Sequence, residues 1–321
     1  MVNLNLEEHL KNQVESEDLR LIVLNLADSC KGILSQLSST FGSRLDTSNH
    51  HGDLQTSLDV IADEIILKNL QILRAGSVWT YLSEEQKDRV TIHKNGKFSV
   101  AADPVDGSSH QDLSVSIGSI FGIYHGDIQH QISGREALAG AVYAIYANPS
   151  ILVYSEKKGV HLFVLENGRY KFLETMSIPN EKNLLVAGGL RADWPRNHRA
   201  FVERLEIERY GQRNAGPLVV DIHRVLKLGG IYAYPLLNSD SNTNVSRFLF
   251  ETLPMSFIVE QAGGTAIDSN GNNILDIAPN DYRGSSLYAG RKAEVKLARE
   301  YLGRNPTISN LKNSLIQLKK R

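Results

Sequence analysis

A single cysteine, Cys30, stands among 321 residues, so no disulfide within the chain can hold the fold together. A reducing compartment, the cytoplasm, is the default that follows. Neither sign of charge is in excess: 35 Lys and Arg against 36 Asp and Glu give a formal net charge of −1. This excludes a nucleic-acid binder or a membrane-surface protein that works through bulk positive charge. No apolar run approaches the length that spans a bilayer. The first twenty residues mix Leu with Glu, Asp and Lys, which leaves no apolar core for a signal peptide. No solenoid-type repeat is visible. Several catalytic signatures are missing as well: there is no HExxH, no paired CxxC, no Walker A and no GxSxG. The ten histidines are scattered. His50 and His51 read as part of a solvated loop, and His223 as an ordinary helix histidine.

What the chain does have is a mixture of helical and strand periodicities. Leu19, Ile22, Val23, Leu26 and Cys30 form one stripe of a helix over 16–37, and Leu58, Ile61, Ala62, Ile65, Ile66 and Leu73 form another. Between them, 41–58 is polar and reads as a loop. Strands are expected at 78–82, 97–102, 115–124 and 140–147, with Lys94-Asn95-Gly96 and Glu166-Asn167-Gly168 as hairpin turns. A plausible boundary falls at Ile178-Pro179-Asn180, which divides the chain into 1–178 and 179–321. Helices are expected at 195–210 and 250–262. Hairpins mixed with helices suggest stacked layers, an α/β sandwich, rather than regular βαβ alternation.

The stretch Asp103-Pro104-Val105-Asp106-Gly107-Ser108-Ser109 follows the apolar run 98–102. Two carboxylates leave a buried strand three residues apart. The proline restricts the turn between them, the Val105 carbonyl can join a hard-cation shell, and Gly107 permits close approach to a ligand. Gly-Ser-Ser then offers N–H groups to an anion. A helix N-cap with an Asx-turn explains the same residues equally well. Further acids tip the balance. Glu84 and Glu85 follow another strand end, Asp53 and Asp59 flank Leu54–Leu58, and Glu251 sits inside an apolar run. If Asp53, Asp59, Glu84, Glu85, Asp103, Asp106 and Glu251 converge, their repulsion demands cations. Oxygen-only ligands point to Mg²⁺ or Mn²⁺, and two or three such ions about 4 Å apart would clamp a phosphoryl group and activate a water.

These residues also carry a family pattern. "DPVDGSS" with the following "VSIGSIFGIY" resembles the class I fructose-1,6-bisphosphatases and the related sedoheptulose-1,7-bisphosphatases. The likeness extends through "GDLQTSLD", "SEE", "DIHRVLKLGGIYAYP" and "FETLPMSFIVEQAGG", from about residue 16 to 302. The resemblance implies an αβαβα sandwich in two subdomains, assembled as a homo-oligomer, tetramer or dimer. It implies metal binding by Glu84, Glu85, Asp103, the Val105 carbonyl, Asp106 and Glu251. Asp53 would close over the metals, Asp59 and Glu85 would position and deprotonate the attacking water, and Gly107 and Ser108 would hold the leaving phosphate.

The remote end departs from the pattern. Gly188-Gly189-Leu190-Arg191-Ala192 is closer to the sedoheptulose type, Asn214 stands where a tyrosine is expected, and Val245 where a phosphate-binding lysine is expected. Tyr234, Arg213 and Arg247 are left as contacts, with Arg191 as a replacement donor. His125 stands where an arginine of an allosteric AMP site is expected. The sequence therefore reads as a Mg²⁺-dependent phosphatase acting at C1 of a ketose bisphosphate, fructose-1,6-bisphosphate first and sedoheptulose-1,7-bisphosphate close behind. A phosphatase of another small sugar or cyclitol phosphate is the alternative, and a non-catalytic sugar-phosphate-binding regulator the third reading. The partner is a small sugar phosphate, with no nucleic acid and no membrane. Leu311, Leu315 and Leu318 suggest a short C-terminal helix.

Overall fold

A computed structural model describes residues 4–49, 54–181, 184–237, 246–279 and 284–303. The C-terminal leucines, Asp53, His50, His51 and Val245 lie outside the described residues. Two capped helices, the second much the longer, come first among the described residues. α1 (Leu6–Gln13) starts on an Asn5–Glu8 capping box, and α2 (Glu17–Gln36) on Ser16. The polar segment expected to be a loop instead forms a two-stranded antiparallel ribbon, β1 (Arg44–Ser48) with β2 (Leu54–Thr56). Its sequence has no apolar alternation, so nothing in the period-2 pattern marked it. α3 (Ser57–Gln71) follows directly.

The first large sheet comprises β3 (Val78–Ser83), β4 (Val90–Thr91), β5 (Phe98–Asp106), β6 (Ile117–His125), β7 (Leu138–Tyr146), β8 (Ile151–Ser155), β9 (Val160–Glu166) and β10 (Arg169–Met176); the short α4 (Gly134–Ala137) precedes β7. Its order is β10-β9-β8-β7-β6-β5-β3-β4, antiparallel except where β3 runs parallel to β5. Asn167 and Gly168 make the expected β9–β10 hairpin turn, both at positive φ. Lys94–Gly96 does not. β4 pairs only with β3, and 92–97 is the crossover that makes β5 parallel to β3.

The second sheet is β12-β11-β13-β15-β14, built from β11 (Leu184–Ala187), β12 (Gly211–Gln212), β13 (Ile231–Tyr234), β14 (Thr265–Ile267) and β15 (Leu287–Gly290). Its helices are α5 (Arg196–Ile207), α6 (Leu218–Leu228), α7 (Leu253–Gln261) and α8 (Lys292–Leu302). The expected helix 250–262 begins differently. Phe248–Thr252 is a π turn, and α7 starts beyond it with Pro254 in its first turn.

The central strands are buried on both faces, which is why they read as unbroken apolar runs. On β7, Val142, Ala144 and Tyr146 pack with α2 and α3, while Ala141, Tyr143 and Ile145 pack with α6 and α7. The far faces of α6 and α7 meet the second sheet, whose outer side is covered by α5 and α8 around Phe201, Val202 and Val295. The layers are therefore αβαβα.

Candidate active site

Strand topology brings the acids together. Ser83 at the end of β3 lies opposite Ala102 of β5, so the two parallel strands leave the sheet at the same edge. Glu84 and Glu85 follow the first, and the Glu84 N–H donates to the Ala102 carbonyl at 3.0 Å. On β5 the register with β6 slips between Asp103 and Asp106. Pro104 sits in this irregularity, where its missing N–H costs the ladder nothing. Its carbonyl accepts from Ser119 Oγ at 2.5 Å, and the Val105 N–H donates to Asp103 Oδ1 at 3.0 Å. The slip turns Asp103, Val105 and Asp106 into one cleft of about 720 Å³.

Glu251 enters from the opposite side on the π turn. It, Glu84 and Asp103 each place a carboxylate oxygen within 4.8 Å of the others. Burial holds Asp103 protonated well above the usual carboxylate range, and the charges of Glu84, Glu251, Asp106 and Glu85 add to it. Burial also pushes Asp106 up to about 7, against backbone N–H groups of Val219 and Leu218 that favour its anion. Arg247 supplies one positive charge: its Nε is 3.7 Å from Glu84 Oε1, and its backbone N–H donates to Glu251. The donors are all oxygen, crowded and desolvated, which fits a hard divalent cation.

Asp59 lines the same cleft at the start of α3. It closes a capping box, with Thr56 N–H donating to Oδ2 at 2.6 Å and Thr56 Oγ1 at 2.9 Å. Burial raises it to about 6, while bonds from Thr56 and Ser108 lower it. Glu85 accepts from Gln55 Nε2 at 2.6 Å. Beyond Asp106, Gly107 takes φ 85 and caps a 3₁₀ turn, Ser108–Leu113. A side chain there would collide with Pro217, whose Cγ lies 2.3 Å from where a Cβ would stand. Gly107, Ser108 and Ser109 line the cleft beside the acids.

At the far end Tyr234 stacks on Tyr232, ring centroids 6.3 Å apart. Gly188 is required by that ring, since a Cβ would sit 2.0 Å from Tyr234 Cδ2. Asn214 Nδ2 donates to the Ala187 carbonyl at 2.7 Å.

The chain matches the model described as "Fructose-1-6-bisphosphatase, N-terminal domain" over residues 1–176 and the corresponding C-terminal domain model over 178–303. It belongs to the fructose-1,6-bisphosphatase family. It is 37% identical over 308 residues to the class 1 fructose-1,6-bisphosphatase of Pelobacter propionicus, covering 93% of each chain. The class 1 enzyme of Geobacter metallireducens is 36% identical over 309 residues, covering 94% of this chain and 96% of that one. Among solved structures, the holo form of Leishmania major fructose-1,6-bisphosphatase superposes with a TM-score of 0.85 at 27% identity, over 95% of this chain and all (100%) of that one. A Toxoplasma gondii chain provisionally named a sedoheptulose-1,7 bisphosphatase gives 0.82 at 26% identity, over 93% and 98%.

The cleft of this family member collects Asp59, Glu84, Glu85, Asp103, Val105, Asp106, Gly107, Ser108, Ser109, Tyr234, Arg247 and Glu251. Two expected contacts are not among its walls. Arg191 lies on the surface, its guanidinium 3.3 Å from both Glu203 and Glu206 and 5.3 Å over the Trp194 ring, so its charge is already answered. Arg213 is exposed beyond β12, with its backbone N–H given to Leu185. Sequence reasoning passed over Asn49, His110 and Asp221, which do line the cleft. Asp221 in the first turn of α6 reads as a routine dipole-favoured acid, and only the chain folding back on residue 106 shows otherwise.

Proposed function

We propose that this chain is a Mg²⁺-dependent sugar-bisphosphatase that hydrolyses the C1 phosphate of a ketose bisphosphate, fructose-1,6-bisphosphate foremost. The observation that carries the reading is one cleft in which the Glu84–Asp103–Glu251 cluster adjoins the Gly107–Ser109 turn. Glu84, Glu85, Asp103, the Val105 carbonyl, Asp106 and Glu251 would hold the metal. When bound, a divalent cation neutralises the phosphoryl oxygens and makes water acidic enough to attack. The N–H groups of Gly107 and Ser108 hold the phosphate that departs. Asp59 and Glu85 orient the attacking water and accept its proton; Asp59, with its proton affinity raised by burial, is suited to that exchange near neutral pH. The oxygen of water joins phosphorus as the bond to the C1 oxygen breaks, and that oxygen takes up a proton to leave as the sugar hydroxyl. Arg247 and Tyr234 contact the sugar phosphate beyond.

A specific observation favours a second substrate. Asn214 lines the far end where a tyrosine ring is expected, and its Nδ2 is turned back to the Ala187 carbonyl, so a pocket without that ring would admit the longer sedoheptulose-1,7-bisphosphate. The Toxoplasma likeness supports the same extension. We place the protein in the cytoplasm, as a homo-oligomer, on its free and buried Cys30 and its family; no helix among the described residues is long and apolar enough to cross a membrane. The test is kcat/KM on fructose-1,6-bisphosphate, sedoheptulose-1,7-bisphosphate, fructose-1-phosphate and inositol-1-phosphate with Mg²⁺. The reading expects the two bisphosphates to lead. Preference for the cyclitol, or no turnover of any, would overturn it.

A further inference from the structure

α6 carries no cap of its own. Its N-cap residue is Pro217, and no side chain from the flanking residues accepts its first N–H groups. The partner comes from the other sheet. Val219 N–H donates to Asp106 Oδ2 at 2.5 Å, and the Leu218 N–H adds a second bond. One oxygen of Asp106 is thus committed to α6, which fixes the direction of the other.

Asp221, one turn into the same helix, is 2% exposed and turns back on the loop before it. Ala215 N–H donates to both of its oxygens, at 2.9 and 3.0 Å, and Gly216 N–H to Oδ2 at 3.3 Å. Arg224 Nη1 donates to Oδ1 at 3.1 Å. The loop so held touches the 107–110 segment twice. Pro217 packs on the α-carbon of Gly107, and the ring of His110 packs on Gly216, where a Cβ would stand 2.5 Å from Nε2. Gly216 adopts φ +113 to allow this. Three contacts therefore run from the segment 216–219 to the segment 106–110, and one buried carboxylate clamps the first of these segments.

We propose that Asp221 is a positioning residue, which sets the Asp106 carboxylate by holding the 215–217 loop and the start of α6 against residues 106–110. The inference rests on the functional reading in which Asp106 is a metal ligand. Residues that orient a ligand from behind typically change metal affinity ten- to a hundredfold when removed.

The test compares Asp221→Asn and Gly216→Ala with Asp18→Asn. Asp18 is also buried and ion-paired, to Lys97 and Arg74, but belongs to α2 and serves as the control for lost stability alone. Mn²⁺ affinity is measured by titration calorimetry, the Mg²⁺ concentration for half-maximal phosphate release from fructose-1,6-bisphosphate by assay, and melting in EDTA by circular dichroism. Asp221→Asn and Gly216→Ala should each weaken Mn²⁺ binding about tenfold or more and raise the Mg²⁺ midpoint similarly, while Asp18→Asn lowers melting with both metal readouts within about twofold of wild type. If Asp221→Asn does not fold, Gly216→Ala decides by the same criterion. Variants that lose only stability, with Mn²⁺ affinity and Mg²⁺ midpoint unchanged, overturn the positioning role and leave the functional reading standing. A wild type that binds no Mn²⁺ and releases no phosphate overturns both.

Discussion

Replacing Asp106 with Asn should stabilise the metal-free protein, and by a margin that grows with pH. The folded carboxyl keeps its proton up to about pH 7 because it is buried, whereas in the unfolded chain it ionises near 3.9. Between these values the unfolded state has released a proton that the folded state retains. Stability therefore falls as pH rises through this window. Integrated at about 1.36 kcal/mol per unit, the penalty is about 1.5 kcal/mol at pH 5 and about 4 kcal/mol at pH 8. Asparagine carries no such penalty and its Oδ1 can still accept the Val219 N–H. With about 2.1 cal/mol/K of unfolding entropy per residue, the variant should melt about 2 °C higher at pH 5 and about 6 °C higher at pH 8 in EDTA. Saturating Mg²⁺ should reverse the order, since only the wild type offers the full set of charges. The assay is a pair of thermal melts at each pH, with titrating groups remote from Asp106 cancelling in the difference. A margin that stays constant or shrinks from pH 5 to pH 8 would refute the reasoning.

The other expectations can be checked individually. Arg191→Ala should leave KM for fructose-1,6-bisphosphate within about twofold and cost about 1 kcal/mol, because it breaks surface ion pairs and the contact with Trp194; a large rise in KM would put Arg191 back at the substrate. His9 is buried against His161, Phe163 and Phe172, and burial, then His161, lowers it to about 4. Stability from this neutral imidazole is lost as pH falls from about 6.5 towards 4, so His9→Phe should gain about 2 kcal/mol more at pH 5 than at pH 8; equal gains at the two pH values would contradict this. AMP at millimolar concentration should inhibit weakly, because His125, at the exposed end of β6, stands where an arginine would pair with the nucleotide phosphate. Cooperative micromolar inhibition would show another nucleotide contact.

How far the sequence could be read depended on where its signals came from. The strand ends that carry Glu84, Glu85, Asp103 and Asp106 were legible because buried central strands are written as apolar runs that stop abruptly at polar residues. Glu251 stood out because an acid among Phe248, Leu249, Phe250 and Leu253 needs a reason. The π turn that aims it gave no sign, since i→i+5 bonding leaves no distinct period over five residues. The β1–β2 ribbon was misread for want of an apolar face, and Lys94–Gly96 because local turn chemistry does not reveal that β4 pairs with β3 rather than β5. Arg191 reads as a phosphate donor from its charge, but the two glutamates that answer it, Glu203 and Glu206, lie a helix away. Asp221 is the same lesson in reverse: its proposed role comes from contacts between the start of α6 and residues 106–110, more than a hundred residues apart in the chain.

The central claim is that the carboxylate cluster works by holding a divalent cation over a sugar phosphate. The most direct measurement is phosphate release from fructose-1,6-bisphosphate by exhaustively chelated protein, before and after Mg²⁺ is returned. An all-oxygen ligand set predicts no turnover without metal, full recovery with Mg²⁺, and inhibition of the restored activity by Li⁺. Undiminished turnover in the chelated protein would contradict it.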